Sequence, residues 1–199
     1  MYFSYQNQQF YNRGFGLIEL MVSITIITLV SAIVIAKHNA FNGAVLLRNQ
    51  TYEVAFALRQ AQLLAVSGSN PNTSIKQRYG VYFSKSSQNS YLVYRDNDAN
   101  GRYEASDTQI GPIGFIDRRF FIREIFYDTS IGVGNGEVNN MSVSFVRPNF
   151  DALFRRSSGP YQPGPVYIDI ARVGGTGNGV GVVRRVEVTA TGQVSITEY

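Results

Sequence analysis

The sequence predicts an α+β chain: one long amino-terminal helix, membrane-spanning over its first half, packed by its second half on an antiparallel β-sheet domain. Three observations carry this. Phe15 to Ala36 (FGLIELMVSITIITLVSAIVIA) is a long apolar run whose only formal charge is Glu19. A helical stripe continues past it to about Val66. From Pro71 onward, short β-rich segments follow one another with no helix-length pattern between them. The 199 residues are 44% hydrophobic and 16% charged, enough apolar material for a core and too little charge for a disordered tail.

The apolar run has bilayer length, because about 20 residues cross a hydrocarbon core of roughly 30 Å. It is too long for the apolar region of a signal peptide, and the small residue Gly14 precedes it instead of following it. Any cleavage therefore comes before the span. Arg13 on one side is matched by Lys37 and His38 on the other, so basic residues do not set the orientation. Beyond Lys37, Ala40, Ala44, Leu47, Thr51, Val54, Leu58, Ala61 and Ala65 recur at spacings of four and three, the core face of one helix. Asn39, Asn42 and Gly43 weaken it midway, and the turn-forming Ser67 to Pro71 ends it.

The β segments read from the pattern are 79–83, 91–95, 109–113, 120–127, 141–146, 166–171, 180–189 and 193–197. The last two form a hairpin turning at Thr191 and Gly192, with Val186 and Val188 on its apolar side. Ser157 to Pro165 and the glycine-rich Gly174 to Gly181 read as loops, and neither has the spacing or lysine of a phosphate-binding loop. With no helices between them the strands are expected to be antiparallel, their apolar face covered by the second half of the helix. The domain organisation that follows is 1–14 leader, 15–38 transmembrane and assembly helix, 39–69 amphipathic continuation, and 70–199 β-rich globular domain.

Glu19 is the sharpest anomaly, since a carboxyl inside an apolar span costs a few kcal/mol and calls for a partner. Cleavage between Gly14 and Phe15 would create an α-amino group four residues before it, within reach on a helix. An uncleaved anchor would instead leave Glu19 snorkelling to the headgroups. Arg13, Gly14, Phe15, Gly16, Leu17, Ile18, Glu19 and Leu20 resemble the class III leader of type IV pilins and type II secretion pseudopilins. The resemblance implies that prepilin peptidase cuts after Gly14 and methylates the new amino terminus at Phe15. It also implies that Glu19 helps recruit other pilin subunits at an inner-membrane assembly platform. Gly16 departs from the family, which usually carries Thr or Ser there, and the leader is polar and aromatic instead of lysine-rich.

The remainder resembles the GspH/FimT type of minor pseudopilin, in which a long helix packs on antiparallel sheets and a hairpin closes the chain. The matching residues are Leu58 to Gln62, the Asp96 to Tyr103 turn, Val143 to Arg147 and Arg184 to Ile196. The implied role is a structural subunit of a pilus or pseudopilus, membrane-anchored through lipid contacts before assembly, with an extracytoplasmic carboxyl-terminal domain. The alternative is a DNA-binding minor pilin of a competence filament.

Two further constellations bear on chemistry. Asp96 to Asp107 (DNDANGRYEASD) fits a twelve-residue calcium loop, with Asp96, Asp98, Asn100, the carbonyl of Arg102, Glu104 and Asp107 as ligands and Gly101 at the sharp turn. Its flanking strands and its Asn-Gly pair equally suit a solvated hairpin turn, so calcium or no cofactor are both open. Arginine outnumbers lysine fifteen to three, in pairs at Arg118–Arg119, Arg155–Arg156 and Arg184–Arg185. Forked guanidinium groups suit nucleic-acid phosphate. DNA-binding relatives carry arginines at the final hairpin glycine, where this chain reads Gly192, Gln193, Val194 and Ser195, so solvated arginines balancing acids are the simpler reading. The lack of cysteine excludes disulfides, thiolate metal sites and thiol nucleophiles, and a lone His38 leaves no Ser/His/acid set, so the reading is structural and not enzymatic.

Overall fold

The computed structural model describes residues 14–67, 77–128, 136–146, 150–162, 164–173 and 183–198, and of residues 36–41 the backbone alone. The leader and the glycine-rich segment around Gly174 to Gly181 fall outside these residues. Helix α1 runs from Leu17 to Ser67 as one element. Asn39, Asn42 and Gly43, read as a weak point, do not interrupt it. What falls there is a boundary between two compact units, 1–42 and 43–199.

In the first unit, Leu17–Ile35 has a mean hydropathy of 2.5, no part of it buried within the chain, and is long and apolar enough to cross a membrane. Four hydroxyls, those of Ser23, Thr25, Thr28 and Ser31, interrupt its apolar surface, and three of them are bonded back within the helix. Ser23 donates to the Glu19 carbonyl at 2.7 Å, Thr25 to Met21 at 2.8 Å and Thr28 to Ile24 at 2.8 Å. Without that back-bonding each would be an unmet polar group in hydrocarbon.

The second unit is built on two antiparallel sheets. The first joins β1 (Arg78–Ser84), β2 (Ser90–Asp96), β3 (Thr108–Gln109), β4 (Gly114–Phe115), β7 (Asn140–Phe145), β8 (Ala152–Arg155) and β9 (Tyr161–Gln162), in the order β3-β2-β1-β7-β8-β9 with β4 also on β2. The second joins β5 (Phe120–Tyr127), β6 (Gly136–Glu137), β10 (Val166–Arg172), β11 (Val183–Val188) and β12 (Val194–Glu198), in the order β12-β11-β10-β5-β6. One core unites both with the helix: Leu47, Val54, Leu58, Ala61 and Ala65 meet Val81, Phe83, Val143 and Phe145 of the first sheet and Ile122, Ile168, Val186 and Val188 of the second. Thr51, on the same stripe, is buried with its hydroxyl on the Leu47 carbonyl at 2.7 Å. Ala44, read as part of that stripe, is exposed.

Three corrections to the strand reading follow from local chemistry. Of the segment read as 109–113 only Gln109 is strand, because Gly111, at φ 72°, and Pro112 end the pairing, and β4 starts beyond it at Gly114; Tyr94 pairs with Gln109 and Ser90 with Phe115. Residues 152–155 form β8, paired on β7, and the loop read over 157–165 contains β9, paired on β8. The closing hairpin turns as read: Gly192, at φ 79°, donates to the Thr189 carbonyl at 2.9 Å, and the Thr189 N–H donates to Gln193 at 3.0 Å. A side chain at Gly192 would be strained by that φ and would also strike the Phe150 carbonyl.

Candidate processing segment and acidic loop

Gly14, Phe15 and Gly16 precede the helix, whose first bonds run from the N–H groups of Glu19 and Leu20 to the Gly16 carbonyl at 3.1 and 3.2 Å. Phe15 is 79% exposed, and a Cβ built on Gly14 or Gly16 would meet nothing. Among the described residues the fold therefore does not require glycine at either position, and Gly14 and Phe15 are both exposed. Glu19 lies in the first turn of α1, where its negative charge complements the helix dipole. Its side chain is exposed, as are the apolar neighbours Leu17, Ile18 and Leu20. The carboxylate thus stands on an apolar surface without cover from the other described residues. Its place, two residues into the helix, leaves the amino group of a new chain beginning at Phe15 close by in sequence.

The loop after β2 folds back over the outer face of the first sheet. Asp96, Asp98 and Asp107 each bring a carboxylate oxygen to within 4.8 Å of the others. These oxygens are also bonded within the loop. Asp96, buried, accepts from the Asn100 N–H at 3.2 Å and the Gly101 N–H at 2.7 Å. Asp98 accepts from the Asn100 N–H at 3.1 Å, and Asp107 from Asn97 at 3.0 Å and Glu104 at 2.8 Å. Burial pushes the Asp96 carboxyl up to about 6, against the Gly101 hydrogen bond, and neighbouring Asp98 and Asp107 add to the rise. Three convergent carboxylates have the donor chemistry of a hard-cation site.

Of the other three sequence-predicted ligands, Asn100 is bonded directly to that group, while the side chain of Glu104 is not one of its three carboxylates. The Asn100 carboxamide oxygen accepts from the Arg102 N–H at 2.8 Å while its amide donates to Asp98 at 2.7 Å. Glu104 lies 3.4 Å from Arg102 Nε, and the Arg102 guanidinium reaches the Ser157 carbonyl at 3.1 Å. Gly101 turns at φ 82° beneath Tyr161 and Arg78, where an added Cβ would lie 3.0 Å from the tyrosine ring. The Asn100 carbonyl is held by Arg155 and by the Tyr161 hydroxyl at 3.2 Å, and Tyr103 packs on Tyr82 and Tyr94 with ring centroids 5.0 and 5.4 Å away. Sequence spacing gives no sign of these clamps, because Arg155 and Tyr161 come from a hairpin 55 and 61 residues further along the chain.

The paired arginines are largely engaged. Arg119 grips Asp117 with Nε at 2.9 Å and Nη2 at 2.8 Å, holding that carboxyl well below the usual carboxylate range. Arg184 pairs with Glu198. Arg185 grips Asp169, 4% exposed, with Nε at 2.7 Å and Nη2 at 3.0 Å, and its guanidinium lies 4.6 Å from the centre of the Phe126 ring. Arg155 lies over Tyr161 at 4.7 Å.

Residues 10–35 fit the family model described as the prokaryotic N-terminal methylation motif. That segment holds Gly14, Phe15 and Glu19, and the match supports a class III leader like that of type IV pilins and pseudopilins, a family that is structural. Such a leader implies processing by prepilin peptidase and assembly with other pilins. Joined to an apolar helix and antiparallel sheets, it makes the whole a pilin-like α+β arrangement. The searches of curated proteins and of solved structures returned no match.

Proposed function

We propose that this chain is a structural subunit of a type IV pilus or a type II secretion pseudopilus. In this reading prepilin peptidase cuts it after Gly14 and methylates it at Phe15, and the subunit enters the filament through its amino-terminal helix. The observation that carries the reading is the conjunction at one helix start: a methylation motif, an exposed Gly14 and Phe15, and Glu19 exposed on an otherwise apolar helix. Before assembly Leu17–Ile35 contacts lipid; in the filament the same surface contacts neighbouring helices. The Phe15 amine of the processed chain pairs with a Glu19 carboxylate, making docking selective, because an unpaired carboxylate in an apolar bundle is costly. A GspH/FimT-type minor subunit is the finer assignment, supported by the helix-on-sheets arrangement and the closing hairpin.

Peptide mass spectrometry of the native protein tests the first step, with methylated Phe15 as the expected terminus and an intact Met1 overturning it. For the second, Glu19→Ala should leave the protein in the membrane and reduce its recovery in sheared filaments; undiminished recovery would refute the role of Glu19. The DNA-binding alternative has less support, since Arg119, Arg184 and Arg185 already hold carboxylates. Salt-dependent retention of double-stranded DNA would be its signature.

A further inference from the structure

One end of the second unit is basic and apolar together, and chain connectivity ties it to a bilayer. Gly43, the first residue of that unit, lies under the guanidinium of Arg172: a Cβ built there would sit 2.5 Å from Nη1 and 3.0 Å from Cζ. Arg172 ends β10 opposite Phe120, the first residue of β5. The next residue, Val173, donates its N–H to the Arg119 carbonyl at 2.7 Å and is 55% exposed. The Asp117 N–H donates to Gln50 of α1 at 2.8 Å, closing the same end. Arg118 and Arg172 are exposed there, and Val45 on the helix is 41% exposed. Asp117 is committed to Arg119. Among the described residues no carboxylate forms an ion pair with Arg118 or Arg172.

Gly43 follows Ile35, the last residue of the apolar span, by eight residues. As helix those residues cover about 12 Å, and fully extended no more than roughly 28 Å, so whatever angle the chain takes, this end stays close to the membrane surface. We propose that Arg118 and Arg172, with Val45 and Val173 between the headgroups, seat this end on the anionic phospholipids of the membrane that α1 spans. The inference rests on the span lying in a bilayer and not on processing or polymerisation. A short tether holds the face at an effective concentration in the millimolar range, so a weak contact suffices. Each arginine near an anionic surface shifts the docked-to-undocked ratio about fivefold, and the two together roughly 25-fold. Salt works against it, since the screening length falls from about 10 Å at 0.1 M to about 3 Å at 1 M.

The chain has no cysteine, so one introduced thiol gives one spin label. The full chain carrying Val173→Cys would be reconstituted in phosphatidylcholine bilayers with or without 30% phosphatidylglycerol, and label accessibility to a headgroup-chelated nickel lipid measured. Thr191→Cys serves as control: it lies in the closing hairpin, where Gln62 holds Gly192 at 3.1 Å, nineteen residues along α1 from Gly43. Accessibility at position 173 should rise severalfold with anionic lipid and fall in high salt, with position 191 unmoved. Arg118→Gln should reduce the rise about fivefold, and Arg172→Lys, which keeps the charge, should preserve it. Equal accessibility in both bilayers, or a rise that Arg118→Gln leaves intact, would overturn the proposal. Unprocessed and processed chains should behave alike, which separates this result from the fate of the pilin reading.

Discussion

Asp96 sets a pH dependence opposite in sign to that of most acidic residues. Its carboxyl is 1% exposed and raised to about 6, whereas in the unfolded chain it returns to about 4. The folded state therefore binds the proton more tightly. The stability this contributes is complete below pH 4 and is lost as pH rises through 6. A rise of that size corresponds to at most about 3 kcal/mol; with Asp98 and Asp107 on the solvent side of the loop, screening reduces it to about 1–2 kcal/mol. For a unit of this size that is roughly 3–8 °C in melting temperature between pH 4.5 and 7. Near-UV circular dichroism of the full chain in micelles would follow the unit through its tyrosines. Asp117, held low by Arg119, acts in the opposite sense, but its contribution is lost only below pH 4 and stays out of this window. Asp96→Asn, which keeps a donor toward Asp98, should flatten the slope. Calcium added at pH 7 raises the melting temperature if the three carboxylates take a cation. A wild-type melting temperature that is flat or rising from pH 4.5 to 7, or an Asn variant with the wild-type slope, would refute this account of the loop.

Three other predictions test separate parts of the chain. Gly14→Val should leave the melting temperature unchanged, because a side chain there meets nothing, while the intact leader persists in the amino-terminal peptide by mass spectrometry. Arg185→Leu should cost about 3–5 kcal/mol in denaturant unfolding, since it strands Asp169 as a buried charge; Arg185→Leu with Asp169→Leu should recover much of that. Leu58→Ala, at a position with no exposure, should cost about 2–5 kcal/mol with an unchanged denaturant slope.

The strongest parts of the fold were legible wherever one periodicity decided the outcome. β5 begins and ends at the residues read from the sequence, and Leu47, Thr51, Val54, Leu58, Ala61 and Ala65 all lie in the core. The same stripe omits Ala55 and Ala57, which are 5% and 4% exposed. A single stripe describes a helix facing one sheet, whereas here Ala55 lines a cavity together with Val194 and Ile196 of the second sheet, and Ala57 one together with Tyr91 and Val93 of the first. Contact on two flanks widens the buried arc beyond one stripe. β8 and β9 escaped notice because four and two residues are too few to display an alternation, and their pairing is supplied by β7. At the amino terminus the apolar span singled out Glu19 as its one charge, whereas Gly14 and Phe15 as a processing pair came from the resemblance carried by Arg13 to Leu20. In the acidic loop spacing found Asp96, Asp98 and Asp107, but the arginine and tyrosine that fasten it arrive through tertiary folding.

Tethering and assembly make different demands on the same nineteen-residue span. Retention in a bilayer asks only for apolar length, which Leu17–Ile35 supplies at a mean hydropathy of 2.5. Leaving lipid for a bundle of like helices gains little from hydrophobicity, since lipid tails are as apolar as leucine. The free energy of entry, in the filament reading, then comes from packing and from groups that bilayer and bundle treat differently. Ser23, Thr25 and Thr28 are not such groups, because their hydroxyls are already bonded to their own helix and gain nothing from a neighbour. Glu19 is: near the headgroups it can reach water, but in a bundle it needs a cation. Among the described residues of Leu17–Ile35 it is the one ionisable side chain. In the filament reading, selectivity for assembly over mere anchorage thus rests on Glu19 and on the amine that the proposed cleavage before Phe15 would create.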